Sequence, residues 1–421
     1  MKKRGLLFFL IPILFSYLVI VCNVELQAET RVATGDVGYQ LGINNFSTYR
    51  KATSYGVKVA SDSNSLSNQT AIIAPIQLLL LSEEEAPNIA FVTSVAYNGD
   101  LGGLAGADQL CQDLAEAADL PANTYVPWLS TPSVNAIDRF GKARGWVRVD
   151  GKPLADTIAD IIAGRMFHPL RVDEFGNFDD TTEGFVWTGN INWAGSGESC
   201  NSWTYQGIGE YGEYGTSDGM GYVFRDFGSL SCRGSARLYC FGVDNNARVT
   251  AVPAIGRIAF ITRDSWVPGG GVATADQLCQ DEAMQAGLNG TFKALLATDG
   301  ASAASRFNSD GSPWVRPDGV VIAPTGAELF SSDYIDSAIY QTADGLQYYA
   351  NYGVWTGAID PTTAGTSDTT CKNWTDSSDE SIAISGRSGF TAQWKFFSLD
   401  SDTPCDADYV HLYCLQNSLQ E

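Results

Sequence analysis

Cysteine is the residue type whose number and spacing say most about chemistry in this chain. Nine are present. Cys22 lies in an apolar leader, and the other eight fall into two groups of four: Cys111, Cys200, Cys232 and Cys240, then Cys279, Cys371, Cys405 and Cys414. The spacings are 89, 32 and 8 residues in the first group and 92, 34 and 9 in the second. An even number at repeated spacing behind an export leader reads as structural disulfides in an oxidising compartment. A metal site is the competing reading, but only two histidines, His168 and His411, are present and no Cys-x-x-Cys pair occurs.

Other chemistry is thinly supplied. The chain has no Gly-x-Ser-x-Gly elbow, phosphate loop or His-Glu-x-x-His, so it reads as a non-enzyme. Acidic loops at Asp173 to Asp180, at Asp376, Asp379 and Glu380, and at Asp400, Asp402, Asp406 and Asp408 could gather around calcium. Solvated acidic turns are the plainer reading, so no cofactor is assigned. Between the second and third cysteine of the first group, Tyr205, Tyr211, Tyr214, Tyr222 and Phe224 stand among glycines. Such rings offer stacking faces for a glycan or a protein and are the candidate ligand-binding residues. Packing of the loop on itself is the competing reading.

The elements that must position these residues are repeated. Ile89-Ala90-Phe91 recurs at 258–260, Ala107 to Asp113 recurs unchanged as Ala275 to Asp281, and Trp146-Val147-Arg148 recurs at 314–316. Val186 to Gly189 recurs at 354–357, Cys200-x-x-Trp203 as Cys371-x-x-Trp374, and Leu238-Tyr239-Cys240 as Leu412-Tyr413-Cys414. A period near 170 residues is a duplicated domain. The expected organisation is residues 1–28 as signal peptide, 29–87 as a polar stalk or extension, 88–243 as domain one, 244–255 as linker and 256–417 as domain two.

Ile89 to Thr93 reads as a strand, and Ala107, Leu110, Cys111, Leu114 and Ala118 share one helical face. Thr274 and Gln277 stand in capping-box relation before the second copy of that helix, and Gly287 should end it. Val186-Trp187 and Leu238 to Phe241 read as strands. Four cysteines allow three connectivities. The nested one is favoured, with the first helix joined to the last strand: Cys111–Cys240 around Cys200–Cys232, and Cys279–Cys414 around Cys371–Cys405.

The combined pattern resembles the endostatin domain of collagens, a C-type-lectin-like fold. In domain two the resemblance is carried by Ala275-Asp276-x-x-Cys279, Ala286-Gly287-Leu288-x-Gly290-Thr291-Phe292, Val354-Trp355-x-Gly357, Cys371-x-x-Trp374 and Leu412-Tyr413-Cys414. Domain one is similar to bacterial secreted domains related to endostatin through Phe91 to Ser94, Tyr97-Asn98-Gly99 and Leu101 to Asp108. The resemblance implies an α+β fold of two tandem modules and the same nested bridges. It does not bring the calcium-dependent sugar motifs of lectins, because neither Glu-Pro-Asn nor Gln-Pro-Asp nor Trp-Asn-Asp occurs. Zinc through N-terminal histidines is likewise not implied here.

Acids outnumber bases 48 to 26, giving −22. Met1-Lys2-Lys3-Arg4 and the apolar run Leu6 to Val21 form a secretory signal ending near Ala28, with an uncleaved anchor as the alternative. Removing 1–28 takes away three bases and Glu25 and leaves −24. That balance disfavours nucleic acid and heparin-like polyanions as partners. No membrane span is expected after cleavage. The sequence points to an exported binding protein, secreted, periplasmic or at the cell surface, that recognises an extracellular protein or glycan. An envelope assembly component and a polysaccharide hydrolase are the alternatives.

Overall fold

In a computed structural model the described residues are 86–179, 183–189 and 198–418. The signal segment and the 29–85 stretch, with its apolar run 71–81, lie outside them.

The first half opens with β1 (Asn88–Val92), a wholly buried strand, and α1 (Gly103–Ala117), which buries Ala107, Cys111 and Ala115. There follow β2 (Tyr125–Pro127), β3 (Trp146–Arg148), β4 (Pro153–Ala155), β5 (Phe185–Trp187), β6 (Tyr211–Thr216), β7 (Gly228–Ser231) and β8 (Arg237–Gly242). The sheet order is β4-β3-β1-β8-β5-β6-β7, with β2 also pairing β8. The second half repeats this with β9 (Arg257–Ile261), α2 (Val272–Gln285), β10 (Thr291–Ala294), β11 (Trp314–Val315), β12 (Val321–Ala323), β13 (Gly353–Trp355), β14 (Ile382–Arg387), β15 (Asp400–Pro404) and β16 (His411–Ser418). Its order is β12-β11-β9-β16-β13-β14-β15, with β10 pairing β16. Both sheets are mixed, and strands outweigh helices.

The closing strand of each half is central, so tying it to the first helix staples helix to sheet. Cys111–Cys240 joins α1 to β8 and Cys279–Cys414 joins α2 to β16; Cys200–Cys232 and Cys371–Cys405 lie nested inside them. A second fastening repeats as well. Arg139 pairs with Asp108 of α1, and Arg306 pairs with Asp276 of α2 at 2.6 Å.

One local expectation changes. Helix α2 begins at Val272 behind Gly271 with no side-chain cap, and the Thr274 hydroxyl donates back to the Gly271 carbonyl at 2.9 Å. Thr274 therefore sits inside the first turn, where it cannot cap. The end of α2 falls as expected. Gly287 takes φ +73°, and the Leu288 and Gly287 N–H groups return to Ala283 and Met284 carbonyls at 2.9 and 3.0 Å, the Schellman closure. The Cys-x-x-Trp motifs hold a surprise. All four residues from Cys200 to Trp203, and again from Cys371 to Trp374, have φ between +47° and +66°. These are left-handed turns built without glycine, a conformation that L-residues resist by roughly 1–2 kcal/mol each. Buried Trp203 and Trp374 anchor them, donating to the Ser130 and Ala297 carbonyls at 2.7 and 2.8 Å.

The halves share a seam. Gly219 and Phe390 form an antiparallel bridge, flanked by Met220 N–H to Gly389 O at 2.7 Å and Thr391 N–H to Asp218 O at 3.0 Å. In strand register Asp218 corresponds to Gly389 and Met220 to Thr391, so each flanking bond is the other viewed from the opposite half. The seam therefore has local two-fold symmetry, like an isologous dimer contact. A Cβ on Gly389 would meet Ala350 at 2.9 Å, which explains glycine at this crossing. Buried Lys395 bonds buried Asp218 at 2.9 Å and the Glu183 carbonyl at 2.9 Å. Arg171 stacks 3.4 Å over the Tyr334 ring. The 244–255 segment bonds both halves, through Val249 N–H to Asp156 at 3.0 Å and Ala254 N–H to Gly319 O at 2.9 Å.

Candidate functional site: a groove in the second half

A groove of about 820 Å³ lies on the sheet of the second half. Strand register explains why it exists there. In the first half, β5 pairs Trp187 with Tyr214 and β6 pairs Gly212 with Leu230; in the second, β13 pairs Trp355 with Ser385 and β14 pairs Ala383 with Thr403. Phe185, Tyr214 and Leu230 thus correspond to Gly353, Ser385 and Thr403. In the first half these three side chains pack onto the core, Phe185 and Tyr214 with ring centres 4.4 Å apart. In the second half nothing apolar replaces them. Gly353, Ser385 and Thr403 form a polar floor, and the two hydroxyls pair at 2.7 Å.

The walls carry charge and rings. Arg387 on β14 binds Asp400 on β15 at 2.7 Å. Arg263 is paired with Asp344. Tyr352 and Tyr409 line the groove with 44% and 62% of their surfaces exposed. Tyr352 is held in place by stacking on Tyr349 at 4.8 Å and by contact with the near-perpendicular His411 ring at 5.2 Å. His411, buried beneath, has its Nδ1 2.9 Å from the Thr262 carbonyl, so Nδ1 carries the proton. Burial pushes its pKa below the ordinary histidine value. Its counterpart Arg237 donates to the corresponding carbonyl of Thr93; the position has a structural duty in both halves.

The aromatic residues expected from the sequence do not form one site. Phe224 is fully buried and stacks on Tyr239 at 4.2 Å, so it has no face for a ligand; the expectation is corrected for this residue. Tyr222 lies half-buried against the core of the second half, its hydroxyl 2.6 Å from Asp226, and its pKa is pushed up to about 12 chiefly by burial. Tyr214 is part of the packing that fills the first half's groove. Tyr205 and Tyr211 are exposed, and the Tyr205 hydroxyl donates to the carbonyl of exposed Ile208 at 3.1 Å, apart from the groove.

The acidic loops mostly serve local partners. Asp173 caps its own turn through the N–H groups of Phe175 and Asn177 at 2.9 and 2.8 Å, and Glu174 accepts from the Ser94 N–H at 2.9 Å. Asp376 pairs with Lys372 and accepts from Ser381 at 2.8 Å, which holds its carboxyl well below the usual range. Among the described residues no three His, Cys, Asp or Glu side chains gather as a metal site. Asp400 and Asp402 instead line the groove.

Aromatic density in the sequence points to 205–224 and away from the groove residues Tyr352, Gly353, Ser385, Arg387 and Tyr409. The useful signal was a difference between the copies: ring, ring and leucine in one, glycine, serine and threonine in the other.

Residues 267–393 match a family described as a protein of unknown function (DUF1554). That stretch takes in α2, β13 and β14, and with them Tyr352, Gly353, Ser385 and Arg387, but not β15 or β16. No curated protein matches the chain.

Proposed function

We propose that this chain is an exported, non-catalytic binding protein of two tandem lectin-like modules, and that the groove of the second module recognises an extracellular glycan or protein. The observation that carries the reading is the open, polar-floored groove lined by two exposed tyrosines, Tyr352 and Tyr409, at a register position that its sister module fills. Tyrosine gives a large contact face at low entropy cost, and a polar floor suits a hydroxylated ligand. The four disulfides suggest an oxidising extracellular environment, and among the described residues no helix is long and apolar enough to cross a membrane.

The test is a glycan and extracellular-matrix array with purified protein, with and without calcium. Binding that is calcium-independent and lost in Tyr352→Ala/Tyr409→Ala, but kept in Tyr205→Ala/Tyr211→Ala, supports the groove. Loss only in the second variant moves the site to the first half. Turnover of a bound polysaccharide would replace the binding role with a hydrolytic one.

A further inference from the structure

We infer that the groove of the second half takes a sugar ring carrying a protonated amine, an amino sugar; this rests on the binding role proposed above. The charges around the groove decide it. Both arginines are already engaged, Arg387 by Asp400 and Arg263 by Asp344. Asp264 and Asp402 are exposed on the groove lining and have no ion-pair partner among the described residues. The charge left uncompensated is therefore negative. An anionic ligand would meet two free carboxylates and would have to break an existing pair to reach a guanidinium. An ammonium group meets the carboxylates directly and is also attracted by the faces of Tyr352 and Tyr409. The chain as a whole is strongly acidic, so its long-range field concentrates cations in the same sense.

The floor argues for a sugar as the carrier of that amine. Gly353, Ser385 and Thr403 make a shallow, hydroxyl-lined surface, whereas a basic peptide would need sockets for its stems. A hexosamine presents a flat apolar face to a tyrosine and an equatorial amine to a carboxylate at the same time.

The experiment is calorimetry at about pH 5.5, where sugar amines are protonated. The probes are a glucosamine tetramer, its N-acetylated counterpart and tetralysine. The two sugars share ring faces and differ in charge. The glucosamine tetramer should bind about fivefold to tenfold tighter than the acetylated one, as two exposed ion pairs allow, and the advantage should shrink with added salt. Asp264→Asn/Asp402→Asn should remove the preference while the acetylated sugar still binds; Tyr352→Ala/Tyr409→Ala should weaken both. Equal binding of the two sugars, or a preference that survives the double Asn variant, overturns the amine assignment and leaves a neutral-glycan groove. Tighter binding of tetralysine than of either sugar overturns the sugar. Binding of none of the three defeats the amino-sugar inference, and a silent array besides would defeat the binding role itself.

Discussion

Lys372 occupies a left-handed turn, at φ +51°, that nothing in its own chemistry favours. It is held there by its neighbours, between disulfide-bonded Cys371 and buried Trp374. The lysine end of its ion pair with Asp376 is exposed, so the pair contributes little. Lys372→Gly should therefore stabilise the protein by roughly 0.5–1 kcal/mol, the relief of left-handed strain less the extra freedom of glycine in the unfolded chain. Urea denaturation would check this, and an equal loss would show the turn to be unstrained. The Cys-x-x-Trp repeat was plain in the sequence, but its handedness was not. Left-handed turns usually advertise themselves with Gly or Asn at several positions; here covalent and packing forces impose one on Cys, Lys, Asn and Trp. The same limit applies to the aromatics. Tyr214 and Phe224 are of the right type for a binding surface, and only partners distant in sequence, Phe185 and Tyr239, show that they are packing.

At the scale of elements, the nested bridges differ in the loops they close. Cys111–Cys240 spans 129 residues and Cys200–Cys232 spans 32. On the entropic account the outer bridge is worth about 5 kcal/mol and the inner about 4. Replacing both cysteines of the outer pair by Ala should lower unfolding stability more than replacing both of the inner pair; the reverse order would mean that local strain in the left-handed turn outweighs loop entropy. The first strand, the cysteine-bearing helix and the closing strand were legible because periodicity and spacing report local order. The start of α2 was not, because a glycine with φ +73° substitutes for a side-chain cap and moves the helix start ahead of the Thr-x-x-Gln signal.

For the whole molecule, the repeated motifs are visible in the sequence but the seam between the halves is not. The 244–255 stretch reads as a linker, yet buried Tyr340 donates to the Gly164 carbonyl of the other half at 2.7 Å, and Lys395 and Asp218 bond across the boundary. Such contacts leave no periodic trace. His168 lies on the same seam, its Nδ1 3.0 Å from the Asp336 carbonyl. Burial lowers its pKa to about 4, so it stays neutral in the fold while the unfolded chain takes up a proton below about 6.5. The unfolded state then binds more protons between these values, and stability falls by up to about 3 kcal/mol as pH drops from 6.5 to 4. Denaturation midpoints at about pH 7 and pH 4.5 should converge in His168→Gln relative to the parent; an unchanged gap would place the acid sensitivity elsewhere.

The proposed binding role turns on a groove that one half keeps open and the other fills. Gly353 has an ordinary backbone conformation, and a Cβ there would make only van der Waals contact with Val410 at 3.5 Å. The first half's own side chains can therefore be transplanted as Gly353→Phe/Ser385→Tyr/Thr403→Leu. Glycan and matrix array binding by the parent and this variant, read beside their melting temperatures, is the most direct measurement. The account predicts binding by the parent, its loss in the variant, and a melting temperature that does not fall. The same array signals from both proteins would contradict it.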